Sequence, residues 1–139
     1  MNYIQVYQRL ETIEGVIEIL SSYTVYFQEV DRLAEIFETN KLRDPRSIDE
    51  VLTSATALYA RLNPIFSILE AKVSILKDKI ANEKKVLGPG VGVTEFSMEL
   101  LDYLKRAKNL LQSHTEIAEK FISTCQSKIK LLDKEKSCG

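Results

Sequence analysis

Residues 47–87 read SIDEVLTSATALYARLNPIFSILEAKVSILKDKIANEKKVL, a stretch that carries the clearest indication of the fold class. Its apolar side chains recur at alternating steps of four and three residues, interrupted only by Glu83: Ile48, Leu52, Ala55, Tyr59, Leu62, Phe66, Leu69, Val73, Leu76, Ile80 and Leu87. A repeat of this kind forms the seam along which the helices of a coiled coil pack. The stretch therefore predicts one long helix over 47–87. We expect a kink at Pro64, because proline removes a backbone hydrogen bond inside a helix.

The last third of the chain carries a second seam with the same spacing. Its positions are Leu100, Leu104, Ala107, Leu111, His114, Ala118, Phe121, Cys125, Lys128 and Leu132. Thr94 precedes this pattern and is a residue type that caps helix N-termini. The pattern predicts a helix over about 94–135, followed by a flexible tail at 136–139.

The first third predicts a helix over about 3–39 with an unusually wide apolar face. Two sets of apolar residues lie side by side on it, one running from Leu10 to Phe37 and the other containing Val16, Ile19, Tyr26 and Leu33. They span about 200° of the helix, whereas the apolar stripe of an ordinary surface helix covers roughly 100°. One neighbouring helix cannot cover so broad a face, although two can.

Two segments rich in helix-breaking residues separate the three helices. Residues 40–46 contain Pro45, and residues 88–93 contain Pro89 and three of the chain's five glycines. Because short connections make sequential helices antiparallel, we expect an all-α, elongated, antiparallel three-helix bundle of coiled-coil type. The 139 residues would form a single helical domain with hinges at 40–46 and 88–93.

The composition excludes several classes of function. The chain has 19 basic and 20 acidic residues, whereas dedicated nucleic-acid-binding proteins usually carry an excess of basic residues. One histidine and two cysteines cannot form a standard zinc site of those residue types. His114 and Cys125 are about 16 Å apart along one helix, too far to form a catalytic dyad. We therefore expect no enzyme, no metal site and no cofactor, and we recognise no protein family in the sequence.

The sequence also bears on the cellular compartment. No apolar stretch reaches the roughly 18 residues that a membrane-spanning helix needs. The first residues, MNYIQ, lack the basic start and apolar core of a signal peptide. Two cysteines do not make a disulfide framework. These features predict an intracellular protein, cytoplasmic or nuclear, without a signal peptide.

The wide apolar face of the first helix predicts the function. Aromatic residues are enriched at the centres of protein interfaces, and four of the six tyrosines lie on this helix. We expect a non-enzymatic interaction or scaffold subunit that assembles with itself or with partner helices in a larger complex. The expected interface residues are Val16, Ile19, Tyr23, Tyr26 and Phe27. Core packing is the competing interpretation of the same residues.

A basic cluster near the end of the middle helix predicts an alternative function. Its members are Lys72, Lys77, Lys79, Lys84 and Lys85. Such a cluster can contact nucleic acid or an anionic surface. No aromatic residues for base stacking are interleaved with these lysines, so nucleic acid is the less favoured partner. Placing positive charge at a helix C-terminus explains Lys84 and Lys85 without any ligand.

Overall fold

The computed structural model describes residues 2–38, 45–88 and 92–138. Of these residues, 95% are helical and none forms a strand, which confirms the all-α class. The helices are α1 (Tyr3–Arg9), α2 (Ile13–Ser22), α3 (Thr24–Glu38), α4 (Pro45–Leu87) and α5 (Gly92–Cys138). The two long helices, α4 and α5, pack together. Across the described ranges, none of the helices combines the length and the apolar character of a membrane-spanning segment.

The prediction of one continuous helix over 3–39 is wrong, because this region forms three helices. Asn2 caps α1 in a reciprocal arrangement with Gln5. A second cap lies at Thr12, whose backbone is extended and whose hydroxyl accepts a hydrogen bond from the Gly15 N–H at 3.0 Å. A capping side chain satisfies the free N–H groups of a new helix, so α2 begins here. One residue, Tyr23, separates α2 from α3.

Helix α4 is continuous over Pro45–Leu87 and contains Pro64 without a break. It begins at Pro45, two residues before the predicted start, because proline is well accommodated at the first position of a helix. The predicted kink at Pro64 stays a prediction.

The predicted seam of α4 is correct at alternate positions up to Leu69 and at every position from there to Ile80. Its buried positions are Ile48, Ala55, Leu62, Leu69, Val73, Leu76 and Ile80. The seam residues predicted between the first four of these, namely Leu52, Tyr59 and Phe66, are only half-buried. Their preceding neighbours Val51, Leu58 and Ile65 are buried instead. The centre of the buried face is therefore rotated toward those neighbours.

The predicted seam of α5 matches the buried face closely. Seven of its ten positions are buried: Leu100, Leu104, Ala107, Leu111, Ala118, Phe121 and Cys125. The other three, His114, Lys128 and Leu132, are half-buried. The helix begins at Gly92 and ends at Cys138, so it extends beyond the predicted 94–135 at both ends. Thr94 is not the capping residue, because its buried hydroxyl has no hydrogen-bond partner.

The chain forms two compact units, each built from two separate stretches of sequence. Unit 1 comprises Met1–Tyr23 and Pro64–Gln112. Its core is aliphatic, with Leu10, Ile19, Leu69, Leu104 and Leu111 among its most deeply buried side chains.

Unit 2 comprises Thr24–Asn63 and Ser113–Gly139, and it contains two aromatic stacks. Phe27 stacks on His114 with ring centroids 4.3 Å apart, and Phe37 stacks on Phe121 at 4.4 Å.

Residues 39–44 and 89–91 lie outside the described residues. The hinges at 40–46 and 88–93, the flexible tail at 136–139 and the single domain over 1–139 stay predictions. Among their residues, 45–46 lie in α4, and 92–93 and 136–138 lie in α5.

Candidate protein-interaction surface

Exposed large apolar side chains are concentrated on unit 1. Among the described residues, unit 2 exposes three of them: Val25, Ile117 and Leu131. Unit 1 exposes ten: Tyr3, Ile4, Tyr7, Ile17, Ile75, Val86, Leu87, Phe96, Met98 and Leu110. Contiguous exposed apolar area marks interaction sites more often than isolated exposed residues do. The arrangement of these residues on unit 1 therefore decides whether they form a site.

Helix α1 places its apolar residues on two sides. Val6 and, just after the helix, Leu10 are buried in unit 1. Tyr3, Ile4 and Tyr7 point outward, and Ile4 is the most exposed of them at 70%. A helix of seven residues is too short to be stable alone, so the buried side must hold α1 in place.

Lys72 on α4 contacts both α1 and the turn that follows it. Lys72 is only 8% exposed, and its Nζ lies 3.1 Å from Oε1 of Glu11 in the turn between α1 and α2. The same Nζ lies 3.6 Å from the centre of the Tyr7 ring, within the range of a cation–π contact. A carboxylate and an aromatic face together compensate the loss of water around a buried ammonium group. Lys72 thus joins α1 and the turn after it to α4.

Two grooves flank this Lys72 contact and share Glu11. The first has a volume of about 370 Å³ and an apolar floor of Leu10, Leu76, Leu100 and Leu104. Its rim carries Glu11 on the side of the α1–α2 turn, and Lys72, Ile75 and Lys79 on α4. The second groove has a volume of about 470 Å³ and is lined by Tyr3, Ile4, Tyr7, Gln8, Glu11 and Ile68.

The grooves and their rims form one surface, which we call the α1–α4 surface. It consists of Tyr3, Ile4, Tyr7, Glu11, Ile68, Lys72, Ile75 and Lys79. Its α4 members recur at steps of four, three and four residues, so they lie along one side of that helix. The surface is mainly apolar, with an acidic side chain on one rim and basic side chains on the other.

The five residues predicted as the interface differ in their exposure. Val16 and Ile19 are completely buried in unit 1, where the chain itself covers them. Tyr23, Tyr26 and Phe27 are half-buried. Tyr26 lines a shallow groove on unit 2 with Glu29 and Arg61. An interface formed by these five residues stays a prediction, although Val16 and Ile19 are not accessible to a partner in this structure.

The five lysines of the predicted anion contact have different surroundings. Lys72 is buried against Glu11, and Lys79 lies 3.9 Å from Glu83 on the same helix. Lys77, Lys84 and Lys85 are exposed. Lys72, the first lysine of the predicted cluster, is therefore part of the packed interior of unit 1. Anion binding by the other four stays a prediction.

Sequence patterns identified only part of the α1–α4 surface. The abundance of tyrosine near the N-terminus is a usable signal for Tyr3 and Tyr7. Ile68 and Ile75 carry a weaker signal, since they are apolar residues outside the seam of α4. The pairing of Lys72 with Glu11 joins residues 61 positions apart in sequence, and no local pattern indicates it.

The residues considered for catalysis lie in packed surroundings. Cys125 is a buried free thiol, and burial raises its pKa, an effect that nearby Lys128 only partly opposes. His114 is half-buried and stacked on Phe27. Across the described ranges, no group of three or more histidine, cysteine, aspartate or glutamate side chains could hold a metal ion.

The raised pKa of Cys125 predicts low thiol reactivity. Because the thiolate is the reactive form, we expect the native Cys138→Ser variant to react with a thiol reagent at pH 8 at least about tenfold more slowly than the unfolded variant. Absorbance with a disulfide reagent, with and without denaturant, measures both rates. Equal rates would show that Cys125 is accessible in the native state.

The chain matches no model of a protein family, no curated protein and no solved structure.

Proposed function

We propose that this protein is a non-enzymatic helical interaction subunit that assembles with other helices through the α1–α4 surface. The proposal keeps the predicted intracellular setting, cytoplasmic or nuclear. It also keeps the predicted antiparallel, coiled-coil-like bundle, in which α1–α3 together take the place of one long helix. Association with other helices through the α1–α4 surface would also allow a scaffold role in a larger complex.

The concentration of exposed apolar and aromatic residues around the Lys72 contact carries the proposal. Removing apolar surface from water stabilises an association by roughly 25 cal/mol for each Å² buried. Tyrosines beside a well-packed groove are typical of the residues that dominate binding energy at interfaces. Tyr3 and Tyr7 hold such positions, with Ile4 between them and Ile68 across the groove.

The way in which α1 is held also supports binding. A surface that is rigid before association loses less conformational freedom when a partner docks. Val6 and Leu10 anchor α1 in the core, and Lys72 contacts both Tyr7 and Glu11. The exposed side of α1 is thereby presented in a fixed position, which suits a helix that lies in the adjoining grooves.

Site-specific photocrosslinking of the full chain in its native cells tests the proposal. A photoreactive phenylalanine analogue would replace Ile4 or Ile75 on the α1–α4 surface. Val25 and Leu131, equally exposed apolar residues on unit 2, provide matched control positions. We expect a discrete crosslinked protein of defined mass from positions 4 and 75 and none from the controls. Equal crosslinking from all four positions, or none from 4 and 75, would contradict the proposal.

A further inference from the structure

We propose that the connected ends of α4 and α5 dock on the surface of an anionic lipid bilayer. The residues concerned, which we call the α4–α5 end, are Lys84, Lys85, Val86, Leu87 and Phe96. All five belong to unit 1, and none of them lines the grooves of the α1–α4 surface. This inference therefore stands independently of the proposed function.

The α4–α5 end lies beyond the part of α4 that adjoins the α1–α2 turn. Lys79 is the last residue of α4 to line the groove beside that turn, and Val86 lies seven residues further on, about 10 Å along the helix. Gly88 has a φ of 80°, a conformation that favours glycine and ends α4 at Leu87. Only residues 88–91 join α4 to α5, so the last turn of α4 and the first turns of α5 lie at the same end of the pair.

The α4–α5 end is apolar and largely uncovered. Val86 is 72% exposed, the highest value for a large apolar side chain among the described residues. Leu87 occupies the last position of the predicted seam of α4, yet it is 53% exposed, and Phe96 is similarly exposed on α5. No charged residue occurs in the sequence between Lys85 and Glu95. Apolar side chains of this kind can enter the boundary between lipid headgroups and acyl chains, to a depth of about 5–10 Å.

The lysines beside these apolar residues give the end a positive charge. Lys84 and Lys85 are exposed, and neither forms an ion pair with a residue that the structure describes. Of the nearby carboxylates, Glu83 is largely buried and lies 3.9 Å from Lys79. Glu95 is exposed in the first turn of α5, where the free N–H groups of the helix offset its charge. Two lysines are therefore available to the headgroups of anionic lipids.

This combination favours a bilayer over a protein as the partner. Lysine is depleted at protein–protein interfaces relative to the rest of the surface. In a bilayer the anionic headgroups lie directly above an apolar interior, so Val86 and Leu87 can enter it while the long lysine side chains reach back to the phosphates. Nucleic acid fits less well, because Phe96 is the only aromatic residue of the end on which a base could stack.

Cosedimentation of the full chain with lipid vesicles tests the charge requirement. We expect binding to vesicles of phosphatidylcholine mixed with phosphatidylserine that is at least about tenfold tighter than binding to phosphatidylcholine alone. Replacing both lysines, Lys84→Glu with Lys85→Glu, should remove this difference. Lys120→Glu with Lys130→Glu, the same change at two exposed lysines of unit 2, should leave it in place.

A second pair of variants tests the apolar contribution. Val86→Ser with Leu87→Ser should weaken binding to the mixed vesicles at least about tenfold, because less apolar area leaves water. Val25→Ser with Leu131→Ser makes the same two changes at exposed residues of unit 2 and should have no effect. Circular dichroism confirms that all variants remain helical.

Fluorescence separates entry into the bilayer from attraction to its surface. The chain contains no tryptophan, so Phe96→Trp provides a single probe at the α4–α5 end, and Leu131→Trp provides a control on unit 2. We expect the emission of Phe96→Trp to shift to shorter wavelength with the mixed vesicles, and that of Leu131→Trp to stay unchanged.

Three results would overturn this inference. The first is no binding to the mixed vesicles, or equal binding to both kinds of vesicle. The second is binding that the unit 1 and unit 2 variants weaken equally, which would place the contact elsewhere. The third is an unchanged emission of Phe96→Trp on the bound chain; binding to single-stranded RNA in place of vesicles would then assign the lysines to nucleic acid.

Discussion

Replacing Gly15 with alanine should destabilise the protein by about 1–3 kcal/mol or more, the range found for overpacked sites. A Cβ at this position would overlap the carbonyl oxygen of Arg9 and lie 2.6 Å from its carbonyl carbon. It would also lie 2.9 Å from Oγ1 of Thr12, the cap of α2. The Arg9 carbonyl belongs to the backbone and cannot rotate away as a side chain would. The end of α1 must therefore move from α2, and the surface that α1 presents would move with it.

The control for this change is Gly92→Ala at the start of α5. Both glycines are helical, but a Cβ on Gly92 meets no atom within 4 Å. Alanine is favoured over glycine in a helix by about 1 kcal/mol, so this variant should be as stable as the wild type or more stable. Chemical denaturation followed by circular dichroism measures both free energies of unfolding. If Gly15→Ala were as stable as Gly92→Ala, the close approach of α1 to α2 would be incorrect.

Leu58→Ala should cost about 2–5 kcal/mol of stability, which is the range for truncating a buried leucine. Leu58 is 3% exposed and belongs to the core of unit 2. Truncation removes its apolar contacts and leaves a cavity that the surrounding helices fill only in part. The seam read from the sequence omits Leu58 and predicts no such cost.

Leu52→Ala is the matched comparison, since it makes the same change on the same helix in the same unit. The sequence places Leu52 on the seam, whereas the structure leaves it half-buried. We therefore expect Leu52→Ala to cost about 1 kcal/mol, because less apolar area is lost from the core. Thermal or chemical unfolding of both variants shows whether Leu52 or Leu58 contributes more to the core of unit 2. A larger loss at Leu52 would favour the seam read from the sequence.

The two long helices show how far a periodic pattern specifies packing. On α5 the buried face follows the predicted seam from Leu100 to Cys125, although apolar residues such as Tyr103, Leu110 and Ile117 lie beside it. On α4 three pairs of adjacent residues, 51/52, 58/59 and 65/66, are apolar at both positions. Periodicity indicates a helix there but cannot choose the more buried member of each pair, since that depends on the direction from which other helices pack.

The N-terminal region was harder to predict, because tertiary contacts determine it. Apolar periodicity continues across residues 10–12, so the pattern reads as one helix. The break is visible only as a capping threonine followed three residues later by Gly15, whose purpose is the close approach to Arg9. The α1–α4 surface depends on this break and on the contact of Lys72 with Glu11. Neither its position nor its mixed rims could be derived from spacing along a single helix.

The order of the chain through the two units has a practical consequence for experiments. Each unit combines a stretch from the first half of the chain with one that follows Asn63, and the stretches alternate between the units. Cutting the chain at any single position therefore divides at least one unit between the two fragments. Trimming from either end cannot yield a fragment that contains one whole unit and nothing of the other. Proteolytic fragments and deletion series will remove core residues of unit 1 or unit 2, and point substitutions are the appropriate way to map function on this protein.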